Sequence, residues 1–201
     1  MDSIQFSNSW GAIRFSALFS DNNLKNTDFS TSNALQFYFG RIIPKKKYEL
    51  TNDLIETYRK YTLVNVGDIV INGLNLNYDF VSQRIGFVTE SGIITSAYIS
   101  LRPRIDFNVN YYVYLFKAMD AMKMFHGLGT GIRLTLSYAD LKNILLPVPP
   151  RAEQDRIVQF LDWKVSVINR LIGIKRKEIE LIFEMKKSSI YKAVTKGWLC
   201  Q

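Results

Sequence analysis

Residues 145–162 read LLPVPPRAEQDRIVQFLD, and the reading of this stretch divides the chain. An apolar run closes on Pro147, Pro149 and Pro150, and a helical pattern begins at once. Proline at position 150 suits the start of a helix, where an amide N–H would have no intrahelical partner. Glu153 and Asp155 place negative charge in the first turn, where the helix dipole favours it. The stretch is read as a joint between a strand-terminated domain, residues 1–150, and a helical region, residues 151–197.

Downstream of the joint, residues 151–196 are helix-compatible apart from Gly173. Leu161, Val165, Ile168, Ile172, Ile179 and Ile182 form a heptad seam, interrupted at Lys175. The clusters Lys175-Arg176-Lys177 and Lys186-Lys187 suit a face in water. So long an amphipathic helix needs another helix against its stripe, and the pattern holds no second long one. A second copy of the chain or another subunit is the expected partner.

Upstream, the fold class reads as α+β: a mixed α/β domain with a mainly strand-rich core, followed by a long coiled-coil-forming helix. Ala34 to Ile43 (ALQFYFGRII) reads as one strand, and Asp53 to Lys60 as a short helix with Asp53 and Glu56 spaced as a capping box. Leu63-Val64 and Ile69-Val70-Ile71 flank a turn at Gly67-Asp68. Arg84 to Thr89 and Ile93 to Leu101 are expected to form a hairpin across Ser91-Gly92. Val109 to Phe125 reads as a helix stopped by Gly127, followed by a short strand at Arg133 to Leu136. Ser137 and Asp140 form a variant capping box for a turn of helix at Tyr138 to Lys142, before the strand Ile144 to Val148.

The chain carries 26 Lys and Arg against 18 Asp and Glu, a net charge of +8, and its pI is about 9.5. Both regions are basic, so a polyanionic partner, nucleic acid first, is expected. With 47% hydrophobic residues the chain can build a core. The lone Cys200 excludes an internal disulfide and a multi-cysteine zinc site. No apolar run approaches the roughly 20 residues of a membrane span. MDSIQFSNSW lacks the basic start and apolar stretch of a secretory signal, so a cytoplasmic protein without a membrane partner is expected.

No catalytic constellation assembles. There is no GxxxxGK[ST] phosphate loop, and Gly127, Gly129 and Gly131 have the wrong spacing for a dinucleotide fingerprint. No Asn-Pro-Pro-aromatic segment is present, and Glu184-x-Lys186 has no upstream Pro-Asp partner for a nuclease. His126 is the only histidine, so no metal site is expected. Recognition remains. Lys45, Lys46 and Lys47 form a compact basic run suited to phosphates. Asn72, Asn75, Asn77 and Tyr78 offer amide and phenol groups able to read base edges. Arg102, Arg104, Lys123, His126 and Arg133 fall near expected loops or element ends. Each alone also suits plain solvent exposure; as a set on a basic domain, and with the family resemblance given next, these twelve are the candidate DNA contacts.

The joint itself resembles one found in specificity subunits of type I restriction–modification enzymes, roughly "lPlPPlxEQxxIvxfLd". Pro147, Pro149, Pro150, Glu153, Gln154, Ile157 and Leu161 match it. Further landmarks of that family are similar to residues 66–71, Arg84-Ile85-Gly86, residues 92–98 and Leu101-Arg102-Pro103. Residues 131–134, 137–141 and the helix end 193–197 follow in the family's order, so the resemblance runs from about residue 62 to 197. It implies a target-recognition domain at 1–150 and a spacer and dimerisation helix at 151–197. It also implies a non-catalytic subunit that binds double-stranded DNA and directs separate methyltransferase and motor–nuclease subunits to a bipartite target. S-adenosylmethionine, ATP and magnesium would then sit on those partners, with no cofactor on this chain. Family members carry two recognition domains and two spacer helices, so this chain resembles a half-length form. A homodimer through the helix is expected. The rival reading is a structural or regulatory assembly protein that pairs or competes through its helix, with only residual DNA binding.

Overall fold

Closely spaced turns between β-branched and aromatic residues cut the first 150 residues into strands of three to five residues. The computed structural model describes residues 10–46, 48–78, 83–132 and 134–197. In chain order, β1 (Gly11–Arg14), α1 (Phe15–Leu18) and β2 (Phe19–Asp21) open the described chain. β3 (Leu35–Tyr38), β4 (Arg41–Pro44) and α2 (Asn52–Arg59) follow, then β5 (Thr62–Val64) and β6 (Ile69–Ile71). β7 (Ile85–Phe87), β8 (Gly92–Ile94) and β9 (Ile99–Pro103) lead into α3 (Val109–Ala121). α4 (Tyr138–Leu141) and β10 (Leu145–Val148) precede α5 (Arg151–Lys196). The chain falls into two units, Met1–Asp155 and Arg156–Gln201.

All strand pairs of the named strands are antiparallel. The largest sheet runs β2-β9-β6-β7, and β1–β10, β3–β4 and β5–β8 form two-stranded sheets. One core is aromatic: Phe15 and Phe19 lie 5.4 Å apart, and Phe19 meets Tyr112 edge-on at 5.4 Å. Phe116 joins them from α3, 5.7 Å from Phe15. A second core gathers Leu35, Ile42, Val64, Val70, Val88 and Ile94, with Phe37 and Tyr98 against it.

The α+β architecture and the long helix are as expected, but five local readings are corrected. Ala34 to Ile43 is a hairpin, β3 and β4, turning at Phe39-Gly40. Ser91-Gly92 joins no hairpin, because β7 pairs with β6 while β8 pairs with β5. The first cap of α2 is Thr51, whose hydroxyl accepts the Leu54 N–H, two residues ahead of Asp53, the expected cap. α3 ends at Ala121, before Gly127, since Lys123 is left-handed with φ 57°, and a 3-10 turn follows at Met124–Gly127. Among the described residues, 134–136 form no strand, and Thr135 makes an isolated bridge with Thr130. The capping box of Ser137 and Asp140 is present, with Asp140 accepting both the Ser137 N–H at 2.8 Å and its hydroxyl.

The 46 residues of α5 extend about 69 Å. Ile168, Ile172, Ile179 and Ile182 of the heptad seam are 43–57% exposed. A second apolar stripe, which the sequence reading did not separate, comprises Phe160, Trp163, Val167, Ile174, Leu181 and Met185, all exposed. At 100° per residue the two stripes lie roughly 130° apart around the helix.

Candidate nucleic-acid interface

The loop following β6 owes its shape to one buried arginine. Arg84 is 8% exposed. Its guanidinium donates to the carbonyls of Asn72 (2.9 Å), Leu74 (2.7 Å) and Asn75 (3.0 Å). Its backbone also accepts the Asn72 N–H at 2.9 Å, and its own N–H donates to Asp120 Oδ2 at 2.9 Å. Five planar donors on one side chain suit this multiple grip on carbonyls. Within the loop, Asn72 Oδ1 accepts the Leu74 N–H, a local turn that asparagine forms readily. Asn75 stands at φ 50°, a conformation asparagine tolerates better than most residues. Leu76 then anchors the turn in the core, fully buried, while Asn75, Asn77 and Tyr78 face solvent.

A second segment lies beside this loop. Leu76 N–H donates to the Leu134 carbonyl at 3.1 Å, and Leu136 N–H to the Gly73 carbonyl at 2.8 Å. Position 73 admits only glycine at this approach, because a β-carbon there would collide with the Leu136 carbonyl. The turn Met124–Gly127 also packs against the turn Leu76–Tyr78. The structure thus brings Asn75, Asn77 and Tyr78 together with the stretch that holds Lys123 and His126, both partly buried. Arg133 lies outside the described residues, as does Lys47.

Lys45 and Lys46 belong to a different place. They follow β4 and line an open groove of about 630 Å³ with Asn33, Tyr48, Tyr58 and Glu90. Lys45 Nζ stands over the Tyr61 ring at 5.4 Å, and Lys46 is exposed. Arg104 is exposed at the end of β9.

Arg102 is engaged within the domain. Its Nε and Nη2 hold both carboxylate oxygens of Asp68, at 3.1 and 2.9 Å. Asp68 is 2% exposed and also accepts the Asn65 N–H at 2.9 Å and the Asn22 amide at 3.3 Å. The hydrogen bond to Asp68 raises the Arg102 pKa. A forked pair of this kind fixes β9 against the turn before β6. Sequence reasoning missed Arg84 as the organiser of the loop. Its signals were a charged residue opening an apolar strand and its place in the landmark Arg84-Ile85-Gly86.

The quoted joint has a physical explanation too. Gln154, 3% exposed, uses both ends of its amide: Oε1 accepts the Asn108 N–H at 2.9 Å, and Nε2 donates to the Pro149 carbonyl at 2.8 Å. Glu153 accepts the Trp10 indole N–H at 3.0 Å. Asp155 accepts Asn108 Nδ2 at 2.7 Å and Arg151 Nε at 3.1 Å, and Arg151 reaches Asp106 at 2.7 Å. The first turn of α5 is therefore bonded to the loop before α3 and to the residue before β1. Among the described residues no group of three His, Cys, Asp or Glu could hold a metal ion, and no helix is long and apolar enough to cross a membrane.

Comparison with known proteins adds three findings. Residues 23–181 match the profile of the type I restriction modification DNA specificity domain. Over 154 residues the chain is 28% identical to the type I restriction enzyme MjaVIII specificity subunit of Methanocaldococcus jannaschii, covering 74% of this chain and 33% of that protein. Two solved structures share the fold. A chain from a structure on complex assembly and conformational transition of the type I R-M system has a TM-score of 0.62 at 19% identity, covering 96% of this chain and 48% of that one. The HsdS subunit from Thermoanaerobacter tengcongensis has a TM-score of 0.55 at 19% identity, covering 96% and 47%. The chain thus spans a third to a half of the length of the relatives it matches.

Proposed function

This chain belongs to the type I restriction modification DNA specificity domain family, and from that premise we propose that it reads a DNA sequence on behalf of separate catalytic subunits. The observation that carries the reading is the solvent-facing set Asn75, Asn77 and Tyr78 on a loop that Arg84 holds in one conformation. Amide groups fixed on a rigid support can discriminate base edges, because ordering them at binding costs little. Lys45, Lys46, Lys47, Arg104, Lys123, His126 and Arg133 supply cationic or imidazole groups for the phosphate backbone. The partners in this reading are duplex DNA, methyltransferase subunits and motor–nuclease subunits, in the cytoplasm. S-adenosylmethionine, ATP and magnesium belong to those partners, and this chain catalyses no step itself. A second copy pairs with the first through the seam of α5.

The test is fluorescence anisotropy of the full chain with labelled duplexes over a range of salt, with and without methyltransferase subunits. Replacing Lys45, Lys46 and Lys47 by alanine should flatten the salt dependence by up to about one counterion-release unit per lost phosphate contact. Replacing Asn75 or Asn77 should change the preference among sequences more than the affinity for DNA as a whole. Binding that ignores both salt and sequence would refute the reading.

A further inference from the structure

The β3–β4 hairpin turns through Phe39 and Gly40 alone, and both have positive φ, 45° and 71°. Two central residues of positive φ make the mirror-image turn whose twist suits paired strands, and Asn-Gly is its favoured sequence. Phenylalanine is a poor choice there, since its β-carbon crowds the backbone in the left-handed region. Burial does not compensate. Phe39 is 67% exposed and its neighbour Tyr38 54%, and their rings meet edge to face at 4.7 Å. Two large rings are thus held outside the core on a strained support, a combination characteristic of functional positions.

The position of the pair is equally specific. A β-carbon on Gly40 would stand 3.7 Å from Gln83 Cβ and 3.7 Å from the Ile85 carbonyl oxygen. These residues flank Arg84, which grips the Asn72–Asn75 backbone. The aromatic turn therefore sits next to the residues that anchor the reading loop. Arg41, exposed, is the cross-strand partner of Tyr38, and Lys45 and Lys46 follow the far end of the same strand.

We propose that Tyr38 and Phe39 form an apolar reading tip that enters a groove of the DNA duplex and touches bases, with Arg41 on the adjoining phosphate. The proposal rests on the DNA-recognition reading above. A duplex presents charged phosphates along its outside, and its apolar surfaces are base faces and thymine methyl groups, reached through a groove. The basic residues of the hairpin bring the tip to that polyanion, and the rings then exchange water for base. The two-residue turn presents the rings outward on paired strands, so no loop has to be ordered on binding.

The experiment uses the full chain and the duplexes that it enriches from a random-sequence pool. Phe39→Asn places the residue best suited to positive φ in the turn, and Phe39→Gly serves as a second variant that retains the turn. Both should melt no lower than the parent while binding the enriched duplexes roughly tenfold more weakly. Their salt slope should equal the parent's, because no phosphate contact is lost. A variant with Lys45→Ala and Lys46→Ala should do the reverse and lower the slope. Parent-like affinity in both Phe39 variants, with the parent still binding sequence-selectively, overturns the tip and leaves DNA recognition standing. A parent that enriches no sequence and binds no duplex overturns the recognition reading and the tip with it.

Discussion

Asp155 shows how a carboxylate ties the first turn of α5 to the loop before α3. The hydrogen bond from Asn108, and after it that from Arg151, holds its pKa below the ordinary aspartate value of 3.8. A depressed folded-state pKa means that this group's stabilisation is complete above the unfolded value and fades as pH falls through the folded one. Asp155→Asn should therefore lower the melting temperature at neutral pH and flatten part of the acid limb of the stability profile. Calorimetric scans of both proteins from neutral to acid pH check this, and parallel profiles would remove Asp155 from the account. Gln154 beside it carries no titratable group and adds no pH dependence of its own.

At the scale of elements, the loop Asn72–Tyr78 depends on Arg84 more than on its own sequence. Arg84→Met keeps much of the buried stem but leaves three carbonyls without their donor, a loss of about 2–4 kcal/mol. Hydrogen exchange should quicken in residues 72–78 and in 134–136, which pair with them, well before it quickens in β6 or β9. Uniform exchange across the domain would show that Arg84 serves global stability instead. Much of this architecture was legible in the chain. The joint at Pro149-Pro150, the long helix and the capping box at Ser137 are encoded by neighbours along the sequence, where dipoles, proline and short side chains act locally. What escaped was pairing. Ser91-Gly92 has the composition of a hairpin turn, yet the strands beside it pair with β6 and β5, a choice made by burial of Val64, Val70 and Ile94 in one core. The β3–β4 turn escaped for the opposite reason, since Phe39 occupies a place where asparagine would have announced it. Arg84 could be read as one more basic surface residue until its carbonyl partners, nine to twelve positions away, were placed around it.

For the whole molecule, the decisive feature is α5. Two copies joined through Leu161, Val165, Ile168, Ile172, Ile179 and Ile182 would form a two-fold assembly, and such an assembly reads inverted half-sites. Glutamate at Ile168 and Ile172 should abolish dimers in sedimentation while the circular dichroism of the strand-rich domain and its melting persist. A parent that is monomeric at micromolar concentration, or a methylated target with unrelated halves, would sink the homodimer. The second stripe, from Phe160 to Met185, remains bare in such a pair, because it lies roughly 130° away from the first. Bare apolar surface of this kind is what chaperones and proteases recognise. A helix with two such sides presents one more face than a single matching helix can shield.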